Sequence, residues 1–297
     1  MLLWCVSFPC AAATLLAVLY WCYPGVIVQG YKKYAGYLIA GLHRKQLTVN
    51  ANKTMWTMTI RDLPKEWWII VLDMPGHGDT SFVQNAGYCA NGMVTKLNEF
   101  LEAFGLHHLH IVGTSLGALV AANFAYQYPT KVISLSLLCP PVAHRLSEDL
   151  TTEAMKAIEG GGKNILLPND VEEFHSMMDI VFHHPDRLKF HRRMSAALLD
   201  EQLPKYDCFK EIIRDLLKSQ EDVKTLTENI TAKTLVVWGE HDKICHPSGA
   251  ALLHKLIKNS EIVIIKNCGH AIPVDRPRKT AKILEKFISQ NRSISNG

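Results

Sequence analysis

The chain has 297 residues, of which 48% are hydrophobic, so it can bury one full-sized core. The net charge of +4 is modest and the basic residues are scattered, which argues against a nucleic-acid-binding protein. The eight cysteines include no Cys-x-x-Cys pair and no cysteine–histidine spacing typical of zinc. We therefore expect buried, reduced thiols and no bound metal. The sequence also has no phosphate loop and no dinucleotide fingerprint, so no cofactor is expected.

The first 31 residues contain no charged side chain. About 20 apolar residues are enough to cross a bilayer, so residues 1–31 are predicted to form a transmembrane anchor. Lys32 and Lys33 follow this segment, which predicts that the rest of the chain lies in the cytoplasm, at an endomembrane or the plasma membrane. The alternative is a cleaved signal peptide, which normally has a basic start and a shorter apolar core.

From Trp67 onward, short β-rich runs alternate with amphipathic segments. Strands are predicted at 67–74, 109–113, 132–138, 234–238 and 261–266. Helices are predicted at 93–104, 116–128, 249–258 and 279–290. Nearly continuous apolar strands that alternate with helices indicate an α/β protein with a mostly parallel sheet covered on both faces.

Residues 142–231 interrupt this alternation with a mainly helical pattern. We expect this stretch to form a helical cap over an active site, and the alternative is a set of ordinary surface helices. The chain then divides into five parts. They are an anchor (1–31), a juxtamembrane segment with the truncated start of the sheet (32–66), the first part of the core (67–141), the cap (142–231) and the second part of the core (232–297).

The motif Gly-x-Ser-x-Gly lies between the strand at 109–113 and the helix at 116–128, with Ser115 at its centre. A serine on a sharp strand-to-helix turn presents its hydroxyl at the carboxyl edge of a sheet, and this arrangement is typical of the α/β-hydrolase fold. Ser115 is therefore the predicted nucleophile. The N–H of Leu116, at the start of the helix, is predicted to bind the oxyanion of a tetrahedral intermediate.

A serine nucleophile needs a base, and the base needs an acid that orients it. His270 follows the last predicted strand and Asp242 follows the strand before it, so both are expected at the edge where Ser115 lies. The chain order Ser115, Asp242, His270 is the one expected in this fold. Glu240 and His241 are the alternative candidates for acid and base, whereas His77, which lies in a tight turn, is interpreted as structural.

Three stretches of the chain resemble the membrane-bound monoacylglycerol lipases of the α/β-hydrolase-domain group. They are the turn at 72–77, the serine motif at 112–117 and the C-terminal stretch at 261–282. The resemblance extends from about Ala51 to the C-terminus. It implies a lipid substrate of the monoacylglycerol class, such as 2-arachidonoylglycerol, and a catalytic domain that faces the cytosol.

The chain departs from this family in one region. Family members have two or more strands and a His-Gly turn, which supplies the second oxyanion donor, before the strand that ends at Asp73. Here only about 35 residues separate the predicted anchor from Trp67, and they contain no His-Gly turn. We expect either a shortened product or a remodelled sheet edge, in which the N–H of Val49 or Asn50 replaces the donor.

Two alternative functions follow from this departure. A protein that lacks one oxyanion donor can retain the fold and bind lipid or protein partners without turnover. A competent enzyme can instead be an esterase or thioesterase that takes another acyl substrate.

Overall fold

The computed structural model describes residues 48–50, 53–78, 80, 88–141, 146–159, 164–187, 191–218 and 223–291. The predicted anchor at 1–31 lies outside these residues. Within the described part of the chain, no helix has both the length and the apolar composition needed to cross a membrane.

The core of the protein is a parallel sheet. Among the described residues its strands are β1 Thr48–Asn50, β2 Val71–Asp73, β3 Leu109–Thr114, β4 Val132–Leu138, β5 Lys233–Gly239 and β6 Ser260–Ile265. Their order across the sheet is β2-β1-β3-β4-β5-β6, and every neighbouring pair is parallel. Strands β4 and β5 are buried along almost their whole length, as expected for strands covered on both faces. The predicted parallel sheet is confirmed.

Helices connect and cover the strands. Their bounds are α1 Thr57–Arg61, α2 Ala90–Ala103, α3 Leu116–Gln127, α4 Glu153–Glu159, α5 Val171–Val181, α6 Arg192–Gln202, α7 Tyr206–Lys218, α8 Val223–Glu228, α9 Gly249–Leu256, α10 Ile272–Asp275 and α11 Pro277–Gln290. Helix α3 packs against β3 and β4 and is almost entirely buried, whereas α1, α10 and α11 contact one another in a separate group.

The first predicted strand was too long. The structure has a strand only at Val71–Asp73, and Trp67 and Ile69 lie in the turn and coil that precede it. Both side chains are buried, at 4% and 8% exposure. Residues 67–72 form a continuous apolar run, and such a run can anchor an irregular segment as well as form a strand, which is why the pattern did not separate the two. The other four predicted strands and the four predicted helices are confirmed to within a helical turn at each end.

The described residues between 146 and 228, here called the helical insertion, connect β4 to β5. The insertion has a small apolar core of its own, made by Leu167, Phe174, Met178, Leu199 and Tyr206. It also contacts the loops that follow β2 and β5. Lys205 Nζ donates to the carbonyl oxygen of Gly78 at 2.7 Å, and Thr152 Oγ1 donates to that of Ile244 at 2.6 Å. The insertion is therefore hydrogen-bonded to two loops that follow the carboxyl ends of strands.

Candidate active site

Ser115 lies in the turn between β3 and α3, with a φ of 50° and a ψ of −123°. Such a conformation is strained for a residue other than glycine and persists only where the surroundings enforce it. Here the N–H of Ser115 donates to the carbonyl of Leu138 at 2.8 Å. The strand and helix also approach closely, because a Cβ on Gly113 would lie 2.4 Å from the carbonyl oxygen of Gly117. The predicted strand–turn–helix geometry is confirmed.

His270 lies within hydrogen-bonding distance of both other predicted site residues. Its Nε2 is 2.9 Å from Ser115 Oγ, and its Nδ1 is 2.8 Å from Asp242 Oδ2. A carboxylate can only accept, so Nδ1 carries the proton toward Asp242 and Nε2 can accept one from the serine hydroxyl. The structure thus brings Ser115, His270 and Asp242 together in one hydrogen-bonded row.

The carboxylate of Asp242 is fully enclosed, with 0% of its side chain exposed. Its Oδ1 accepts the backbone N–H groups of Ile244 and Cys245, both at 2.9 Å, while its Oδ2 faces His270. Both carboxylate oxygens therefore have donors, as a buried charge requires. The two backbone bonds fix the orientation of the carboxylate relative to the imidazole ring.

The environment of His270 favours its protonated form. Burial by itself lowers the pKa of the imidazole, but the adjacent carboxylate of Asp242 and the contact with Cys139 outweigh burial. The pKa of His270 is consequently raised well above its usual value. An imidazole in this setting is a stronger base than an isolated one, since the buried carboxylate stabilises the charge that the ring acquires on accepting a proton.

Cys139, at the end of β4, is a neighbour of the site that the sequence did not reveal. Its Sγ, a carboxylate oxygen of Asp242 and a ring nitrogen of His270 lie within 4.8 Å of one another, and within the described part of the chain they form the one such group of metal-ligating atoms. The thiol, however, donates to the carbonyl oxygen of His270 at 3.2 Å. Asp242 and His270 are likewise engaged with each other and with Ser115. These hydrogen bonds make the group a hydrogen-bonded cluster around the imidazole rather than a metal-binding site.

The two predicted oxyanion donors occupy different positions. Leu116 is the first residue of α3, and the N–H groups of a helix's first turn have no acceptor within the helix. Val49 is the middle residue of β1, level with Gly113 in β3 and Leu72 in β2. Asn50, the last residue of β1, pairs with Asp73 at the end of β2.

The alternative candidates lie elsewhere. Glu240 and His241 contact each other at 3.4 Å, and both side chains are more than 40% exposed. The ring of His241 stacks on that of His183, with centroids 4.2 Å apart.

His77 is buried, and its Nδ1 is 3.1 Å from the carbonyl oxygen of Pro75. Burial lowers the pKa of this imidazole. This agrees with the structural interpretation of that turn.

The parallel sheet, the serine turn and the hydrogen-bonded row define a class of protein. The family model described as alpha/beta hydrolase fold matches residues 47–277, and the chain belongs to this family. The likeness extends to a solved structure of a bacterial membrane phospholipase A, with a TM-score of 0.79 and 24% identity over 99% of this chain and 100% of that one. At this identity the likeness concerns the fold.

Within the family, the chain is related to a particular group of lipases. It is 32% identical to the monoacylglycerol lipase abhd6-B of Xenopus laevis over 254 residues, which cover 83% of this chain and 75% of that protein. It is 30% identical to the monoacylglycerol lipase ABHD6 of Homo sapiens over the same shares of the two chains. The resemblance noted from the three sequence stretches is confirmed.

Proposed function

We propose that this chain is a membrane-associated serine hydrolase that cleaves the ester bond of monoacylglycerols to give a fatty acid and glycerol. The observation that carries the proposal is the hydrogen-bonded row from Ser115 through His270 to Asp242, at 2.9 and 2.8 Å. The relationship to monoacylglycerol lipases over 83% of the chain supports the substrate class.

In the proposed reaction, Ser115 Oγ attacks the ester carbonyl while His270 Nε2 accepts its proton. Asp242 orients the ring and stabilises the imidazolium. His270 then returns the proton to the departing glycerol oxygen, which leaves an acyl group on Ser115. Water, activated by the same imidazole, attacks this acyl-enzyme and releases the fatty acid. The row supplies every proton transfer that these two half-reactions need, without a metal or a cofactor.

The developing oxyanion needs donors as well. We assign the first donor to the N–H of Leu116, at the start of α3. For the second donor we retain the two candidates Val49 and Asn50, in the strand β1 that lies beside β3. Removing one such donor typically costs about 10²–10³ in rate, so this assignment determines how active the enzyme can be.

The membrane part of the proposal rests on the uncharged segment at 1–31, followed by Lys32 and Lys33. An anchor there holds the catalytic part at a lipid surface on the cytosolic side, where a monoacylglycerol can reach the site without its acyl chain entering bulk water. We further propose that residues 142–231 form the cap over the site. The contacts of the helical insertion with the loops after β2 and β5 support this assignment.

The test is to label the full chain, in membranes, with a fluorophosphonate probe and to compare it with Ser115→Ala. We expect the probe to label the original chain and not the Ser115→Ala variant, because the probe reacts only with an activated serine. Hydrolysis is then measured on a panel that contains 2-arachidonoylglycerol, a diacylglycerol and an acyl thioester. Preference for the monoacylglycerol supports the proposal, whereas preference for the thioester assigns another acyl substrate. A folded chain that is not labelled would contradict enzymatic function altogether.

A further inference from the structure

The loop that carries His270 is held in place by the helical insertion. Its backbone N–H groups at His270 and Ala271 both donate to the carbonyl oxygen of Val181, at 2.9 and 3.2 Å. Val181 is the last residue of α5 in the insertion. The backbone of the proposed base is therefore hydrogen-bonded to the end of α5, which lies more than 80 positions earlier in the chain.

A single carboxylate oxygen joins the same two segments. Asp275 Oδ2, at the end of α10, accepts the N–H of Gly269 at 2.6 Å and the N–H of His183 at 2.8 Å. Gly269 directly precedes the proposed base, and His183 lies two residues past the end of α5. Hydrogen bonds to a carboxylate are roughly twice as strong as those to a neutral acceptor, so this oxygen links the loop firmly to the end of α5.

Close packing accompanies these bonds. A Cβ on Gly269 would lie 2.8 Å from the backbone nitrogen of His183 and 2.8 Å from the carbonyl oxygen of Val181. Real Cβ contacts do not approach this closely, so the loop and the insertion meet backbone to backbone with no room for a side chain. The two segments are consequently packed directly against each other along their backbones.

We propose that Asp275 is a positioning residue for His270, and that it acts by tying the base-carrying loop to the helical insertion. The inference rests on the proposed function, in which Ser115 Oγ must lie close to His270 Nε2. Without the Asp275 carboxylate, the N–H groups of Gly269 and His183 lose their shared acceptor. The loop then relaxes, and the imidazole shifts away from the serine.

This role predicts a loss of turnover with little change in substrate binding. A shift of about 1 Å in a catalytic group can cost about 100-fold in rate, so Asp275→Ala is expected to lower kcat by about that factor, with KM changed by less than about twofold. Asp275→Asn keeps an acceptor oxygen without the charge. It is expected to recover part of the rate, with kcat about tenfold below that of the original chain.

The matched control is Glu240→Gln. Glu240 Oε2 also accepts a backbone N–H of this loop, that of Asn267 at 3.1 Å, but its side chain is 41% exposed and its partner lies three residues before the base. This substitution is expected to change kcat by less than about twofold, because exposed charged contacts contribute little. Equal losses in Glu240→Gln and Asp275→Asn would overturn the special role of Asp275.

Two further readouts separate this inference from the proposed function. The rate constant for fluorophosphonate labelling reports on the serine and its base whatever the natural substrate, so it remains informative if monoacylglycerols are not cleaved. The imidazole ¹⁵N resonances of His270, identified by their absence in His270→Gln, report on the Asp242 bond even without activity. Asp275→Ala is expected to shift them. Unchanged resonances and labelling in a folded Asp275→Ala variant would refute the inference.

Discussion

Ser115 Oγ and His270 Nε2 lie 2.9 Å apart, although the two residues are 155 positions apart in the chain and their strands are not neighbours in the sheet. Strand β6 is three positions from β3, a distance of about 14 Å at the usual strand spacing. The loop after β6 therefore has to fold back across the ends of β5 and β4. Two hydrogen bonds hold this loop along its path. The carbonyl oxygen of Cys268 accepts the N–H of His241 at 2.9 Å, and the carbonyl oxygen of His270 accepts the S–H of Cys139.

The end of β5 should consequently tolerate no side chain at Gly239. A Cβ there would lie 2.1 Å from the carbonyl oxygen of Gly269 and would push the base-carrying loop away from the strand. We expect Gly239→Ala to lower kcat by about 100-fold or more, since small displacements of a catalytic group are costly. Steady-state hydrolysis of a soluble ester would measure this.

Gly105→Ala is the control for that substitution. Gly105 has a φ of +61°, but apart from its own chain neighbours no described residue has an atom within 4 Å of the place that its Cβ would occupy. It should lose about 1–2 kcal/mol of stability, because a residue with a Cβ is strained in this left-handed conformation, and keep its kcat. If both variants lost activity alike, the steric argument about Gly239 would be wrong.

Asp242 is expected to be essential for turnover, although its carboxylate bonds to His270 and acts on Ser115 only through that ring. Asp242→Asn removes the charge and lets the amide hold the wrong tautomer of His270, so kcat should fall by about 10³–10⁴-fold. Fluorophosphonate labelling should slow in parallel while thermal unfolding remains cooperative. Glu240→Gln, two residues earlier and exposed, should leave both rates nearly unchanged. A smaller effect of Asp242→Asn than of Glu240→Gln would move the acid role to Glu240.

Much of the site could be predicted from the sequence because its parts are local. Ser115, Asp242 and His270 each follow a strongly apolar strand, and the carboxyl ends of parallel strands lie at one edge of a sheet. What escaped prediction depends on contacts between distant segments. The role of Cys139 depends on the return of the loop after β6, and that of Asp275 depends on the end of α5. Neither leaves a local pattern.

Strand β1 was missed for a different reason. Thr48–Asn50 is only three residues long, too short for a detectable alternation, and it is specified by the strands on either side of it. The start of β2 was overextended because Trp67 and Ile69 are buried like strand residues while they lie in an irregular segment. Burial follows from the sequence more directly than backbone conformation does.

The buried thiols should resist alkylation at neutral pH. Burial raises the pKa of Cys208 to about 11, and it also raises the pKa of Cys245 and of Cys268. Because the thiolate is the reactive form, iodoacetamide should modify Cys89, which is partly exposed, before these three. Peptide mass spectrometry with and without urea would measure the order. Fast modification of Cys245 in the folded chain would contradict the described packing.

Activity and the stabilising effect of His270 should depend on pH in opposite directions. The imidazole must be neutral to accept the proton of Ser115, and its pKa in the folded chain is raised by the charge of Asp242 despite burial. Labelling and hydrolysis should therefore fall as pH decreases through this raised pKa, with a midpoint above the ordinary value of about 6.5. In Asp242→Asn the residual activity should have a lower midpoint, because the charge that raised the pKa is gone.

The same shift has a consequence for stability. A histidine whose pKa is higher in the folded than in the unfolded chain stabilises the fold fully below its unfolded pKa, and this contribution disappears as pH rises through the folded pKa. The difference in Tm between the original chain and His270→Gln should accordingly be largest in mild acid and shrink toward alkaline pH. A difference that grew with pH, or a labelling midpoint below about 6.5, would show that Asp242 does not hold His270 in its protonated form.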